Sequence, residues 1–362
     1  MKLNRITTIG AAGVLAAIAL AGCSATPSST STESSSATPT ASAITSKVDA
    51  SLTGTITSGG SSAQANAQAA WTAAYNAQAK GVTINYDKSQ GSGGGVTNFL
   101  SGAYDFAGSD SPLNADQTTA SKALCTEGGI NIPGVTDLKL SGETIAKIFA
   151  LQITDWSDPA ITKDNGKALP AGKITTVARS DGSGTTANFT NYLAATQKSV
   201  WTFPAGKDWP VEGDVSKQKG GSGVVQAIEA GSGTIGYADH SAIGKLASVA
   251  ILQDGKAVPF SADAVSKTFE VAAVDASNGI KGDLSKKFDY SKLTAETYPI
   301  PLVSYAIACT TFKTPEQAKL VKSYIGFIDS TLGQQVAVKN AGAAPLPESV
   351  LKAAQESLAT IK

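Results

Sequence analysis

Histidine is almost absent from this sequence: His240 is the only one among 362 residues. A single His without clustered carboxylates excludes the usual catalytic metal sites, and it leaves serine hydrolysis without an evident base. Excess charge of either sign is missing too, with 29 Lys and Arg against 29 Asp and Glu and no basic stretch. Binding along a nucleic-acid backbone needs clustered cations, so nucleic acid is excluded as a partner. Aromatic residues are sparse at 6% and charged ones at 16%. Long hydrophobic runs are lacking as well, since the apolar stretch over residues 9–21 is shorter than the roughly 20 residues a membrane span requires. Cysteine is limited to Cys23, Cys125 and Cys309. What is plentiful is glycine, at 36 residues, beside an apolar share of 42%. That share suffices for one large core or two medium ones.

The beginning of the chain reads as an export signal. Lys2 and Arg5 give a positive start, the apolar run follows, and Leu20-Ala21-Gly22-Cys23 resembles a bacterial lipobox. The resemblance implies a lipoprotein signal peptide over residues 1–22, cleavage before Cys23, and lipid on that thiol; the plainer alternative is a secretory signal with a chance Cys. Several acyl chains make such anchoring stable. Losing Lys2 and Arg5 leaves the mature chain near neutral. Cys125 and Cys309 are then the remaining thiols of an exported chain, and one disulfide is expected between them, with two separate buried thiols as the alternative.

Residues 23–48 are almost wholly Ser, Thr, Ala and Pro. Such a segment cannot bury enough apolar surface to offset its ordering entropy, so a disordered tether is expected. From residue 49 the pattern changes to short strands alternating with helices, an α/β arrangement. Strands are predicted over 51–57, 82–86, 174–178, 234–237 and 302–309. Helices are predicted over 63–79, 96–100, 143–149, from 186 through 193, and over 224–230, 315–330 and 348–359. Trp71 and Tyr75, four apart, share one face of the first helix.

Three turns join a strand to a helix through small residues: Gly59-Gly60-Ser61-Ser62, Gly91-Ser92-Gly93-Gly94-Gly95 and Asp181-Gly182-Ser183-Gly184-Thr185-Thr186. A helix N-terminus presents unpaired N–H groups and partial positive charge, glycine lets an anion approach the backbone, and Ser or Thr adds hydroxyl donors. One such turn is weak evidence, because Gly/Ser turns cap helices everywhere. Three turns together, with an Arg beside one and an Asp in a fourth, point to an anion. The runs Ala178-Arg-Ser-Asp-Gly-Ser-Gly-Thr-Thr186, Gly91-Ser-Gly-Gly-Gly-Val96, Asp105-Phe-Ala-Gly-Ser-Asp-Ser-Pro-Leu113, Gly233-Thr-Ile-Gly-Tyr237 and Tyr298-Pro-Ile300 resemble, in order, the phosphate-binding proteins of ABC-type phosphate transporters, the PstS family.

The resemblance implies an α/β, two-lobed, periplasmic-binding-protein-like (type II) fold with its ligand in the cleft. Lobe I would comprise residues 49–131 and 301–362, lobe II residues 132–300. It implies a monomeric, non-enzymatic, lipid-anchored receptor on the extracytoplasmic face of the cell membrane. That receptor would need no cofactor or metal, and would deliver inorganic phosphate to ABC permease subunits. Carried over by position, the phosphate ligands are Ser62 with the backbone of Ala63, then Ser92, Asp110, Arg179, Ser183, Gly184 and Thr185, with Asp181 bracing Arg179. Where the family often has Thr-Phe-Pro, this chain has Ser62-Ala63-Gln64, which keeps a hydroxyl and an N–H. Between Asp110 and Asn131 the chain is shorter than the family, so one crossover strand is expected to be shortened or replaced. The rival readings are a receptor for another tetrahedral oxyanion or an organophosphate, an adhesive or sensor protein on the same fold, and a hydrolase using Ser183.

Overall fold

The computed structural model describes residues 48–124, 129–137, 141–166, 168–244, 246, 248, 250–275 and 279–362. The leader, Cys23, nearly all of the tether and Cys125 lie outside them. The strands are β1 (Thr53–Gly60), β2 (Gly81–Asp87), β3 (Phe106–Ser109), β4 (Gly129–Asp137), β5 (Thr175–Arg179), β6 (Val215–Gln218), β7 (Thr234–Gly236), β8 (Ile251–Gln253), β9 (Lys256–Val258), β10 (Ala273–Asp275), β11 (Lys286–Phe288) and β12 (Pro301–Cys309). The helices are α1 (Ala65–Asn76), α2 (Gly91–Leu100), α3 (Ala115–Leu124), α4 (Gly142–Phe149), α5 (Pro159–Asn165), α6 (Gly184–Thr196), α7 (Gly220–Ala230), α8 (Ala262–Ala272), α9 (Pro315–Ile328), α10 (Thr331–Ala341) and α11 (Glu348–Leu358).

Two sheets organise the chain. The larger has the order β2-β1-β3-β12-β4, parallel through β2, β1 and β3 and antiparallel at β12. The smaller is β6-β5-β7, all parallel, and two-stranded pairs β8-β9 and β10-β11 lie apart from both. Parallel pairing demands crossover helices, and α1, α2, α6 and α7 supply them here. Following the stretch where a shortened or replaced crossover strand is expected, β4 pairs with β12 from Pro301↔Asp137 to Cys309↔Gly129. Cys309, at the end of β12, is disulfide-bonded.

Each sheet has its own core. Beneath the large sheet, Trp71 and Tyr75 pack as their shared helix face predicts, and Tyr75 meets Tyr324 edge-on with centroids 5.2 Å apart. Edge-on aromatic pairs gain about 0.5–1.5 kcal/mol beyond their buried area. Against the small sheet lies a second aromatic cluster, in which Phe189 stacks on Tyr237 at 4.8 Å and meets Phe149 edge-on at 4.9 Å. Ala344, Leu346 and Leu351 belong to this second core, although they follow β12 in sequence.

The sequence reading leaves out α3, α5, α8 and α10 and the short strands β6 and β8 to β11, and where it does place elements the boundaries shift chiefly at glycines. The run 91–95, read as a turn before a helix, is itself the first turn of α2. Glycine is a poor helix former, but a side chain is sterically impossible here: a Cβ on Gly95 would lie 2.5 Å from the Cα of Gly60. Gly60 in turn has φ +133° and would place a Cβ 2.2 Å from the carbonyl oxygen of Gly108. Backbone contact between β1, α2 and β3 therefore outweighs propensity. For the same reason 58–60 continue β1, where a turn is predicted. α10 is missed in the sequence because its interior carries little apolar periodicity.

Asp329, just past the end of α9, is 0% exposed and neither carboxyl oxygen has a hydrogen-bond partner among the described residues. Burial drives its pKa well above the ordinary carboxylate value, because the charged form loses its hydration. The native protein thus holds a proton that the unfolded chain releases. This stabilisation is complete below the unfolded value of about 4 and is lost as pH rises toward the folded value. Asp329→Asn removes the titration, so the variant should be more stable than wild type by roughly 1–3 kcal/mol near neutral pH, with the gap closing toward about pH 4. Calorimetric scans across that range check it; a gap independent of pH would contradict the assignment.

Candidate functional site

The ends of four strands meet at one place. β1 runs into Ser61, Ser62 and Ala63; β3 into Asp110; β5 ends at Arg179 and leads through Asp181 to α6; β6 leads through Lys219 to α7. Carboxyl ends of parallel strands followed by helix N-termini form the usual crevice for anionic ligands in α/β sheets.

Asp110 is the centre of the cluster, and its side chain is 5% exposed. Its Oδ1 accepts hydrogen bonds from the hydroxyls of Ser61 and Ser304, each at 2.5 Å. Its Oδ2 accepts from Ser92 at 3.2 Å and Thr185 at 3.5 Å. Four hydroxyls from four elements thus converge on one carboxylate. A hydroxyl carries one donor proton and can rotate, so each can turn from Asp110 to another acceptor placed among them. Gly184 closes the approach from α6: a Cβ there would sit 2.6 Å from the Cβ of Asp110.

Arg179 is buried at 3% exposure, and its Nε and one Nη donate to the two oxygens of Asp181 at 2.7 and 2.5 Å. Burial pushes the Asp181 pKa up, but the hydrogen bonds and charge of Arg179, with the Gly220 N–H at 3.0 Å, outweigh it and leave the carboxyl below its ordinary value. The remaining guanidinium protons stay available for a second acceptor. The backbone N–H of Arg179 donates to the Tyr237 hydroxyl at 3.2 Å, and that hydroxyl also bonds Thr186 at 2.6 Å. Ser183 caps α6, its Oγ accepting from the Thr186 N–H at 3.2 Å.

The first turn is arranged differently from the sequence expectation. The buried hydroxyl facing Asp110 belongs to Ser61, and the Ala63 N–H donates to that same Oγ at 3.1 Å. Ser62 instead accepts from the Gly221 N–H at 3.1 Å, tying the first turn to the N-terminus of α7. Both serines stand in one Gly-Gly-Ser-Ser run, and only the twist of the chain leaving β1 decides which of them turns inward. Ser304, on β12, is a further hydroxyl at Asp110 that the sequence does not announce, because a Ser within an apolar strand carries no local signal. Asp239 is a further unforeseen member: it is 2% exposed, and burial, then the charge of Asp110, push its pKa up to about 7 against the hydrogen bonds of Ser241. Two pockets flank the cluster. One, about 340 Å³, is lined by Asp110, Asn188, Asn191 and Lys286, and the other, about 460 Å³, by Ser62, Lys88, Lys219 and Ser241.

A cleft of converging strand ends, small-residue turns and one buried Arg–Asp pair defines a solute-binding receptor of the periplasmic-binding class. A PBP superfamily domain matches residues 45–331. The chain is 34% identical to phosphate-binding protein PstS 3 of Mycobacterium leprae, over 76% of this chain and 78% of that relative. It is 32% identical to phosphate-binding protein PstS of Pasteurella multocida, over 76% of this chain and 81% of that one. Its fold is similar to that of a phosphate-binding protein from Stenotrophomonas maltophilia, with a TM-score of 0.66 at 19% identity over 84% of this chain and 94% of the other. The chain belongs to the PBP superfamily and, within it, to the PstS family of phosphate-binding proteins.

Proposed function

We propose that this protein binds inorganic phosphate outside the cytoplasm and delivers it to an ABC-type phosphate importer. The observation carrying this reading is the buried Asp110 carboxylate, ringed by four rotatable hydroxyls and faced by the α6 N-terminus. Donors alone would serve any oxyanion. An acceptor among them serves one that retains a proton, as phosphate does near neutral pH. In this reading the ligands are Ser62, Ala63, Ser92, Asp110, Arg179, Ser183, Gly184 and Thr185, with Ser61 and Ser304 added, and Asp181 holds Arg179 in place.

Residues 49–131 with 301–362 form one lobe and residues 132–300 the other, and the two close on the ion by hinge motion. The protein works as a monomer and is anchored by lipid at Cys23, with residues 23–48 as its tether. The closed form docks on the permease. A hydrolase is disfavoured because the Ser183 Oγ serves as the α6 cap, while the His240 ring packs on Phe260 at 4.2 Å. Calorimetry of the purified full chain, stripped of ligand, should give tight binding of phosphate, clear rejection of sulfate, and poor rejection of arsenate, which is nearly isosteric and also protonated. A folded sample that takes no phosphate at millimolar concentration would end this reading.

A further inference from the structure

The charges of the cluster do not balance on the expected residues. Arg179 is matched by Asp181, which takes both of its nearest N–H donors. Among the described residues Asp110 has only neutral hydroxyls as hydrogen-bond donors, and Asp239, a second buried carboxyl with its pKa pushed up to about 7, is close enough to feel it. An oxyanion entering such a site would meet the uncompensated charge of Asp110, which is costly in a buried environment.

Lys207 lies against the same cluster. Its carbonyl accepts the Ser183 N–H at 2.9 Å, so it is fixed beside the cap of α6. Its ammonium nitrogen is fully enclosed, and it has no hydrogen-bond partner among the described residues. Burial pushes its pKa below the ordinary value, while the charges of Asp110 and Asp208 push it back up. An ammonium has three donors and no acceptor capacity, so an enclosed one without a partner is unstable unless an acceptor comes to it.

Resting on the phosphate reading above, we propose that Lys207 is a further ligand of this site. Its ammonium offsets the charge of Asp110, donates to an oxygen of the bound ion, and favours the dibasic form of phosphate over the monobasic form. Lys207 stands outside the small-residue turns, in Gly206-Lys207-Asp208-Trp209, and reaches the site because its own backbone is pinned to Ser183.

The test compares wild type with Lys207→Met and Lys207→Arg by calorimetry with inorganic phosphate, at about pH 5 and about pH 8, where the monobasic and dibasic ions respectively predominate; the same variants in an Asp239→Asn background remove the carboxyl that would otherwise change charge between the two values. Lys207→Met should weaken binding by about tenfold to a hundredfold at the higher pH, the range expected for losing a hydrogen bond from a charged donor, and by less at the lower pH. Lys207→Arg should recover part of the affinity. Equal loss at both pH values, or no loss at either, overturns the proposal, because packing alone would not distinguish the two ions. If wild type itself takes no phosphate, the functional reading fails first. A wild type that binds beside a Lys207→Met that binds equally well removes Lys207 alone.

Discussion

Asp110→Asn should collapse the discrimination between phosphate and sulfate by about two to three orders of magnitude, with sulfate gaining most of the change. The reason lies in counting protons. Sulfate at neutral pH has none, so any oxygen it turned toward Asp110 would leave two acceptors face to face in a site with 5% exposure. Leaving a buried charged group unpaired costs about 2–4 kcal/mol, which is about 1.5–3 decades of affinity. An amide at position 110 keeps one acceptor for the Ser61 and Ser304 hydroxyls and gains an NH₂ donor that sulfate can use. Phosphate, able to donate or accept, should lose less. Paired calorimetric titrations with the two ions measure the ratio directly. An unchanged ratio would mean that Asp110 organises the four hydroxyls without filtering the ion.

Arg179→Met should abolish measurable phosphate binding and also destabilise the protein. The guanidinium is 3% exposed and its partner Asp181 only 13%, so the substitution leaves a buried carboxylate without its cation. Breaking a buried pair from one side costs about 3–5 kcal/mol, and the loss should appear as a lower melting temperature. Binding suffers twice, since the ion loses a forked donor and gains an unneutralised negative neighbour. The two contributions can be separated. In Arg179→Met with Asp181→Asn, stability should return toward wild type while affinity stays lost. Were the double variant to regain phosphate binding, Arg179 would be a structural partner of Asp181 and nothing more. Arg179→Lys should fall between, keeping the charge but not the planar fork.

How much of this site is legible in the sequence follows from how local each part is. The α6 turn is legible almost in full: Arg179, Asp181, Ser183, Gly184 and Thr185 lie within seven positions, and one strand-to-helix junction places them all. Ser92 and Asp110 are legible for a similar reason, each following directly from a strand or opening a helix. Ser61 against Ser62 is not, because neighbouring residues leave a strand in opposite directions and the sequence does not state where the strand ends. β1 runs to Gly60, three residues beyond the predicted end, and that shift selects Ser61.

Ser304 and Lys207 mark the limit. Ser304 reaches Asp110 across 194 positions because β12 pairs antiparallel with β3, a partnership that no local pattern announces. Lys207 arrives through a single backbone bond to Ser183. The sequence by itself determined the α/β alternation, the glycines that let backbones touch, and the donors carried on helix N-termini, since these depend on residues a few positions apart. Only the tertiary structure decided which hydroxyls turn toward Asp110 and which cation is left without a partner among the described residues, since those depend on sheet pairing and burial between distant segments.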